Sequence, residues 1–255
     1  MLHQKLAEQL TDIKEPVRPN YYHGMMVTDY TFNQLTNYFN SKRWLLNRHI
    51  IGYGVVCGLD VIQSQGTAVC VTPGLAIDKA GRELIVPKTT QPLTIPQDLP
   101  PLPDEECEED EYYLHLVICY EECLADPAPV LAGDCQVDPD CLPGAVRERY
   151  RLEFRPGKAE KLSLEVGEIM PDVIRNNRIN YDELELWVTQ GCPQMPENTC
   201  IPLANICLTH NDNENRYETE DTGIDVTIRP IVYTNDVLFL LLLSQMADNP
   251  RHRRK

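Results

Sequence analysis

The hydrophobic period of this chain changes from helical to strand-like near residue 50, and that change constrains the fold more than any other feature. Thr28 and Asp29 form a helix start, because a threonine side chain can accept from the unpaired N–H groups of a first turn. Phe32, Leu35, Phe39 and Leu46 then recur near helical spacing, with Tyr38 and Leu45 widening the stripe. Asn33, Asn37, Asn40, Lys42 and Arg43 face away from most of it. The pattern predicts an amphipathic helix over 28–48, ending at Asn47-Arg48-His49. Gly52, Gly54 and Gly58 then lead into strand structure, as close backbone approach or a bulge requires. Nothing between Tyr22 and Pro87 is arranged to do chemistry. Tyr22, His23, Met25, Met26, Phe32, Phe39 and Trp44 read as a surface for docking.

Beyond that point the apolar residues come in short runs separated by turn formers. Twenty prolines favour many turns and short strands over long helices. Strands are expected over 55–62 and 67–72, joined through Ser64-Gln65-Gly66. A hairpin is expected from 74–78 and 83–86 across Lys79-Ala80-Gly81-Arg82. Residues 92–104 are proline-rich and read as a surface linker. Residues 112–120 are almost continuously apolar, as in a strand covered on both faces. A long loop follows, holding Pro127, Pro129, Gly133, Pro139, Pro143 and Gly144. Residues 147–155 alternate cleanly, with Tyr150, Leu152 and Phe154 on one face. Further strands are expected over 162–166, 185–189, 201–209 and 224–233, with 182–186 open to a short helix instead. Residues 211–215 read as a turn or loop tip.

The expected fold is therefore mainly β: β-sandwich-like, of many short strands, with one N-terminal amphipathic helix and one C-terminal apolar helix. The expected division is an arm over 1–20, a docking helix and β-hairpin module over 21–95, and a β-sandwich region with long Cys/Pro loops over 96–233. Residues 234–255 form an oligomerisation helix and basic tail. In that last segment Asn235 can cap a helix, and residues 237–243 are apolar around the whole circumference. Such a helix must be buried, against its own domain or against other copies. Val237, Leu238, Phe239, Leu241 and Leu242 are the expected oligomerisation residues.

Charge and cysteine usage narrow the function. Asp and Glu outnumber Lys and Arg by 39 to 23, a net charge of −16. That field repels phosphate backbones, so no nucleic-acid partner is expected. Residues 104–111 carry seven carboxylates in eight positions. They read as a solvated loop, lacking the alternating ligands and central glycine of a calcium loop. No secretory signal is visible, and the apolar run 237–243 is far below the ~20 residues of a spanning helix. A cytosolic protein is expected, with membrane contact only through the basic tail Arg251-His252-Arg253-Arg254-Lys255.

Ten cysteines in such a setting are expected to be reduced thiols or metal ligands. Cys57, Cys70, Cys119 and Cys207 fall in apolar strand patterns and read as core. Cys123, Cys135, Cys141, Cys192 and Cys200 lie in two expected loops, where four thiolates make a tetrahedral zinc site. Their spacings lack a Cys-x-x-Cys knuckle, so structural zinc, a late-forming disulfide and free thiols all stay open. No other cofactor is expected. The chain has no phosphate-cradling Gly-Lys-Ser/Thr loop, no Gly-x-Ser-x-Gly elbow, no His-Glu-x-x-His and no dinucleotide fingerprint. Catalytic residues are expected to be none.

Several stretches carry a resemblance. The segments Arg18-Pro19-Asn20-Tyr21-Tyr22-His23-Gly24-Met25-Met26, Asn47-Arg48-His49-Ile50-Ile51-Gly52-Tyr53-Gly54 and Pro73-Gly74-Leu75-Ala76-Ile77-Asp78 resemble a family found with phage-tail-like contractile injection systems. So do Asp126-Pro127-Ala128-Pro129-Val130, Arg147-Glu148-Arg149-Tyr150 and Ile231-Val232-Tyr233-Thr234-Asn235-Asp236. The Gly-Met-x-x-Thr start is similar, more distantly, to the TssK family of type VI secretion baseplate subunits. The resemblance implies a non-enzymatic, multicopy baseplate component, a cage, extension or adaptor, meeting other baseplate or spike proteins. It implies a homo-oligomer, trimer or hexamer, assembled into a particle that is membrane-associated or released by lysis. The competing reading is a tail-fibre-like module that binds a receptor or carbohydrate, which needs exposed aromatic residues.

Overall fold

The computed structural model describes residues 15–99, 111–128, 142–161, 174–175, 178–189, 192, 194–211 and 216–248. The chain is mainly β, with helices near both ends of the described part. Helix α1, Asp29–Leu46, starts at Thr28, whose backbone N–H reaches Thr31 Oγ1 at 3.4 Å while Thr31 N–H donates to the Thr28 carbonyl at 3.0 Å. It runs into a π-helical turn, Asn47–Ile51, closed by Gly52 N–H on the Asn47 carbonyl at 2.8 Å.

Strand β1, Gly54–Gly58, and strand β2, Val61–Ser64, replace the one strand expected over 55–62. The break comes at Leu59, which takes a positive φ of 56° and buries its side chain completely. The turn is tolerated because burial of a leucine offsets the cost of that backbone conformation. Strand β3, Ala68–Val71, pairs with β2 across Gln65 and Gly66, both at positive φ. Strands β4, Gly74–Ile77, and β5, Glu83–Val86, form the expected hairpin in register Gly74↔Val86 to Ile77↔Glu83. The expected surface linker is tied down in its first part: strand β6, Leu93–Thr94, pairs with β3, and Ile95 is fully buried.

Strands β7, Glu111–Ala128, and β8, Leu142–Pro156, pair antiparallel from Leu114↔Pro156 to Ala128↔Leu142. Much of the expected long loop is therefore strand. Prolines are accommodated in these strands because Pro127 and Pro143 sit opposite each other at the far end of a two-stranded ribbon. There the missing N–H groups disrupt no interior ladder. Strands β9, Ile174–Arg175, and β10, Arg178–Ile179, form a small hairpin. Helix α2, Tyr181–Val188, takes the place of the strand expected over 185–189. Strand β11, Ile201–Asn211, lies between β7 and strand β12, Arg216–Glu218, and also pairs with strand β13, Ile224–Asp225.

The strand expected over 224–233 shortens to β13, because the chain then turns to β1. Val55 N–H donates to the Pro230 carbonyl at 2.8 Å and Val232 N–H to the Val55 carbonyl at 3.0 Å. A side chain at position 54 would overlap the Pro230 carbonyl, so glycine is required there. Helix α3, Asn235–Asp248, follows, with Thr234 rather than Asn235 capping it: Thr234 Oγ1 accepts from Val237 N–H at 3.4 Å. The strand expected over 162–166 and most of the acidic run 104–111 lie outside the described residues.

One apolar core unites the sheets β1-β4-β5, β2-β3-β6 and β12-β11-β7-β8. Leu59, Val69, Leu84 and Ile95 meet Leu116, Ile118, Ile201 and Ile206 within it. Its buried residues run from Val55 to Leu208 in sequence.

The β4–β5 turn holds a buried carboxylate with several hydrogen-bond partners. Asp78 is fully buried, and its Oδ1 accepts from Ala80 N–H at 2.9 Å and Arg82 N–H at 2.8 Å. Its Oδ2 accepts from Arg82 Nε at 2.7 Å, with Arg82 Nη2 equally close. Removing one partner of a buried, hydrogen-bonded pair costs about 3–5 kcal/mol. Asp78→Ala is expected to lose about 3 kcal/mol, the lower end because Arg82 keeps some solvent contact, in urea unfolding followed by fluorescence.

Candidate docking surfaces

The turn fixed by Asp78 is also what holds α1. Gly81 sits at φ +90°, and a Cβ there would overlap the Trp44 carbonyl oxygen. Asn47 Nδ2 donates to the Gly81 carbonyl at 2.8 Å and to Glu83 Oε1 at 2.9 Å, and Arg43 Nε lies 3.1 Å from the same oxygen. Beyond the turn, Arg82 Nη2 donates to Thr199 Oγ1 at 3.0 Å, and its guanidinium stacks over the Tyr120 ring at 4.4 Å. Burial first, and then the hydrogen bond Tyr120 gives Glu122, push that phenol well above its ordinary range, so it stays neutral. At the helix end, burial and the adjacent Arg48 guanidinium lower the His49 pKa, keeping the ring that accepts from Arg48 Nε neutral.

With its C-terminal end so fixed, α1 divides its apolar residues between two faces. Leu35, Tyr38, Trp44 and Leu45 are half-buried. Phe32, Phe39 and Leu46 point to solvent, the two phenylalanines at 60% and 62% exposure. These three recur every seven residues and so fall on one line along the helix, the spacing by which a second helix is held. Ahead of α1, Tyr22 and His23 are exposed, Met26 is 82% exposed and Met25 is half-buried. Trp44 differs from the expected docking set: it turns inward, with Nε1 buried and without a hydrogen-bond partner among the described residues. A groove of about 770 Å³ lies along this side of α1, between Val17, Tyr30, Gln34, Tyr38, Leu45 and Met195.

Helix α3 presents the second apolar surface. Val237 is half-buried, while Leu238 through Leu243 are all between 44% and 63% exposed. Burial against the chain's own domain, one of the two expected outcomes, is not what the structure shows. The helix is also not long and apolar enough to cross a membrane, nor is any other among the described residues.

The cysteines are arranged differently from expectation. Cys119, read as core, and Cys200, read as a loop ligand, form a disulfide between β7 and the start of β11, with Cα atoms 4.4 Å apart. In this form Cys200 has no thiolate to offer zinc. Cys123 and Cys192 carry free thiols, while Cys135 and Cys141 lie outside the described residues. Among the described residues no group of three or more ligands unites the expected metal set; Cys119, Glu153 and Cys200 are the one such cluster, and its two sulfurs are bonded to each other. Cys207, read as core, is half-buried, and Cys57 is exposed, because a bulge between Val55 and Cys57 turns it off the core face.

No protein-family model matches the chain, and no curated protein matches it. Solved structures similar to it include a crystal structure of TssK, at 11% identity over 81% of this chain and a TM-score of 0.39. The chain spans 41% of that protein's length. A likeness this loose carries neither fold nor function across.

Gly81→Ala is expected to loosen the end of α1 while leaving the sheets in place. Both the positive φ and the overlap with Trp44 act against the substitution. Hydrogen exchange should quicken at residues 43–51 and stay unchanged in β7 and β11.

Proposed function

We propose that this chain is a non-enzymatic structural subunit of a phage-tail-like contractile injection system, acting at the baseplate as a cage, extension or adaptor. Three things support the reading. The motif resemblance runs in order through much of the chain, from Arg18 to Asp236. A stiff β-core with one shared apolar interior suits a scaffold. The described residues show two solvent-facing apolar helix surfaces.

The single observation that carries the proposal is α3. A one-turn-wide apolar stripe would suit a surface helix, but Leu238 to Leu243 expose apolar side chains on every side. Such a surface is stable in water only when covered, and contiguous apolar patches of this kind mark protein–protein contact. Self-association through α3, as a trimer or hexamer, covers it. The seven-residue line on α1 then serves another baseplate or spike protein. This role requires no cofactor and no nucleic acid, and the subunit works in the cytosol until it joins the particle.

Light scattering of the whole chain should give a mass above the monomer, and a chain ending at Thr234 should be monomeric. A monomer in both cases would remove the support that α3 gives. Phe32→Ser with Phe39→Ser should leave stability within about 0.5 kcal/mol of the parent, since both residues are exposed. The same pair should abolish co-purification with baseplate proteins of the particle, and retention at the parent level would exclude α1 as the docking helix.

A further inference from the structure

The Cys119–Cys200 disulfide has a charged setting that a purely structural crosslink does not need. Cys119 is only 3% exposed and lies on β7; Cys200 is half-buried and immediately precedes Ile201, the residue opposite Ile118. Arg155 on β8 brings Nη2 to 3.4 Å from Cys200 Sγ and 3.9 Å from Cys119 Sγ. Glu153, two residues earlier, accepts from Arg155 Nε at 2.6 Å, and its carboxylate lies within 4.8 Å of both sulfurs. A cation beside the sulfurs stabilises the thiolates that reduction produces, and the carboxylate opposes it.

The disulfide also lies beside a mechanical joint. Thr199, one residue before Cys200, accepts Arg82 Nη2 on its hydroxyl and Lys79 N–H on its carbonyl at 3.2 Å. Through that turn it supports Gly81, Asn47 and the end of α1. The crosslink spans 81 residues of chain and fastens this segment to β7.

We propose that Cys119–Cys200 is a reversible redox site, opened by a dithiol reductant and tuned in opposite directions by Arg155 and Glu153. Its opening frees Thr199 and so relaxes the turn that holds α1. A thiolate of the reductant attacks Sγ of Cys200, the less buried sulfur. The S–S bond breaks, a mixed disulfide forms, and Cys119 leaves as a thiolate beside the Arg155 guanidinium. The reductant's second thiol loses its proton to solvent and attacks the mixed disulfide. Cys200 is released as a second thiolate, and the reductant departs as its own cyclic disulfide. Two electrons pass to the protein, and the two protons given up by the reductant are taken up by the cysteines or by water. This goes beyond the assembly role and does not depend on it, since self-association of α3 is read by mass and this site by thiol labelling.

The test equilibrates the full chain with dithiothreitol buffers of graded ratio and counts thiols at Cys119 and Cys200 by differential alkylation and mass spectrometry. The disulfide should form in oxidising buffer and open reversibly. Arg155→Gln should lower the equilibrium constant for reduction about tenfold, equal to about 30 mV, and Glu153→Gln should raise it by a similar factor. Glu153→Gln is isosteric, so it keeps the proposal testable should Arg155→Gln not fold. On reduction, hydrogen exchange should quicken at 79–82, 194–199 and 43–51, and the Cys119→Ala, Cys200→Ala double variant should exchange as the reduced parent does in both buffers. Two unbonded thiols in oxidising buffer, shifts that are absent or of the same sign, or exchange that ignores the redox state would each overturn it.

Discussion

The buried carboxylate of Asp78 is the constraint on which the rest of the arrangement depends. A charge taken out of water is costly unless every lone pair is used. Here two backbone N–H groups and the Arg82 guanidinium use them, and in doing so they dictate the shape of a five-residue turn. That shape presents the Gly81 carbonyl to Asn47 and leaves no room for a side chain against Trp44. Arg82, oriented by the same carboxylate, reaches Thr199 and the Tyr120 ring. One turn therefore joins α1, the β4–β5 hairpin, β7 and the segment that enters β11.

Around this joint the apolar residues are divided in an informative way. The three sheets share an apolar interior, mostly leucine, isoleucine and valine, whose removal from water favours the β-core. The helices do not contribute to it in the same measure. Thr31 is the buried residue of α1, and α3 leaves its leucines in solvent. A fold that draws its buried core from β1–β5, β7 and β11 and leaves its helices largely outside it separates scaffold from contact surface. The proposed assembly role grows from that separation.

Much of the fold was legible in the sequence because the signals were local. Alternation in 147–155, the continuous run in 112–120 and the turn formers between 78 and 83 correspond to β8, β7 and the β4–β5 hairpin. The readings failed where a non-local partner decided. Leu59 reads as the middle of a strand, yet burial of its side chain overrides the extended backbone. Pro127 and Pro143 read as loop residues until each is placed opposite the other. Cys119 and Cys200 lie far apart in sequence, and the register Ile201↔Ile118 that brings them together is invisible without the sheet. Helical spacing marked Phe32, Leu35, Phe39 and Leu46 as one stripe, but only the position of the turn shows that Phe32, Phe39 and Leu46 face solvent while Leu35 and Trp44 face inward. Asp78 carried a usable signal that was missed, since an aspartate four residues before an arginine across a glycine is a turn that bonds to itself.

The ribbon formed by β7 and β8 has a geometric consequence of its own. Strand β11 accompanies β7 only as far as Ile118, so residues 121–128 and their partners extend past the core as a narrow finger. At about 3.4 Å per residue, eight residues reach roughly 27 Å. Its root is the Tyr120 ring, clamped beneath the Arg82 guanidinium. Just past that root, Glu148, opposite Glu122, lies 4.0 Å from Arg43 of α1, so the finger is steadied at its base by the helix as well as by the turn. The outer part of the finger therefore carries its surface well clear of the core, with both of its strand edges open to pairing beyond Ile118 among the described residues.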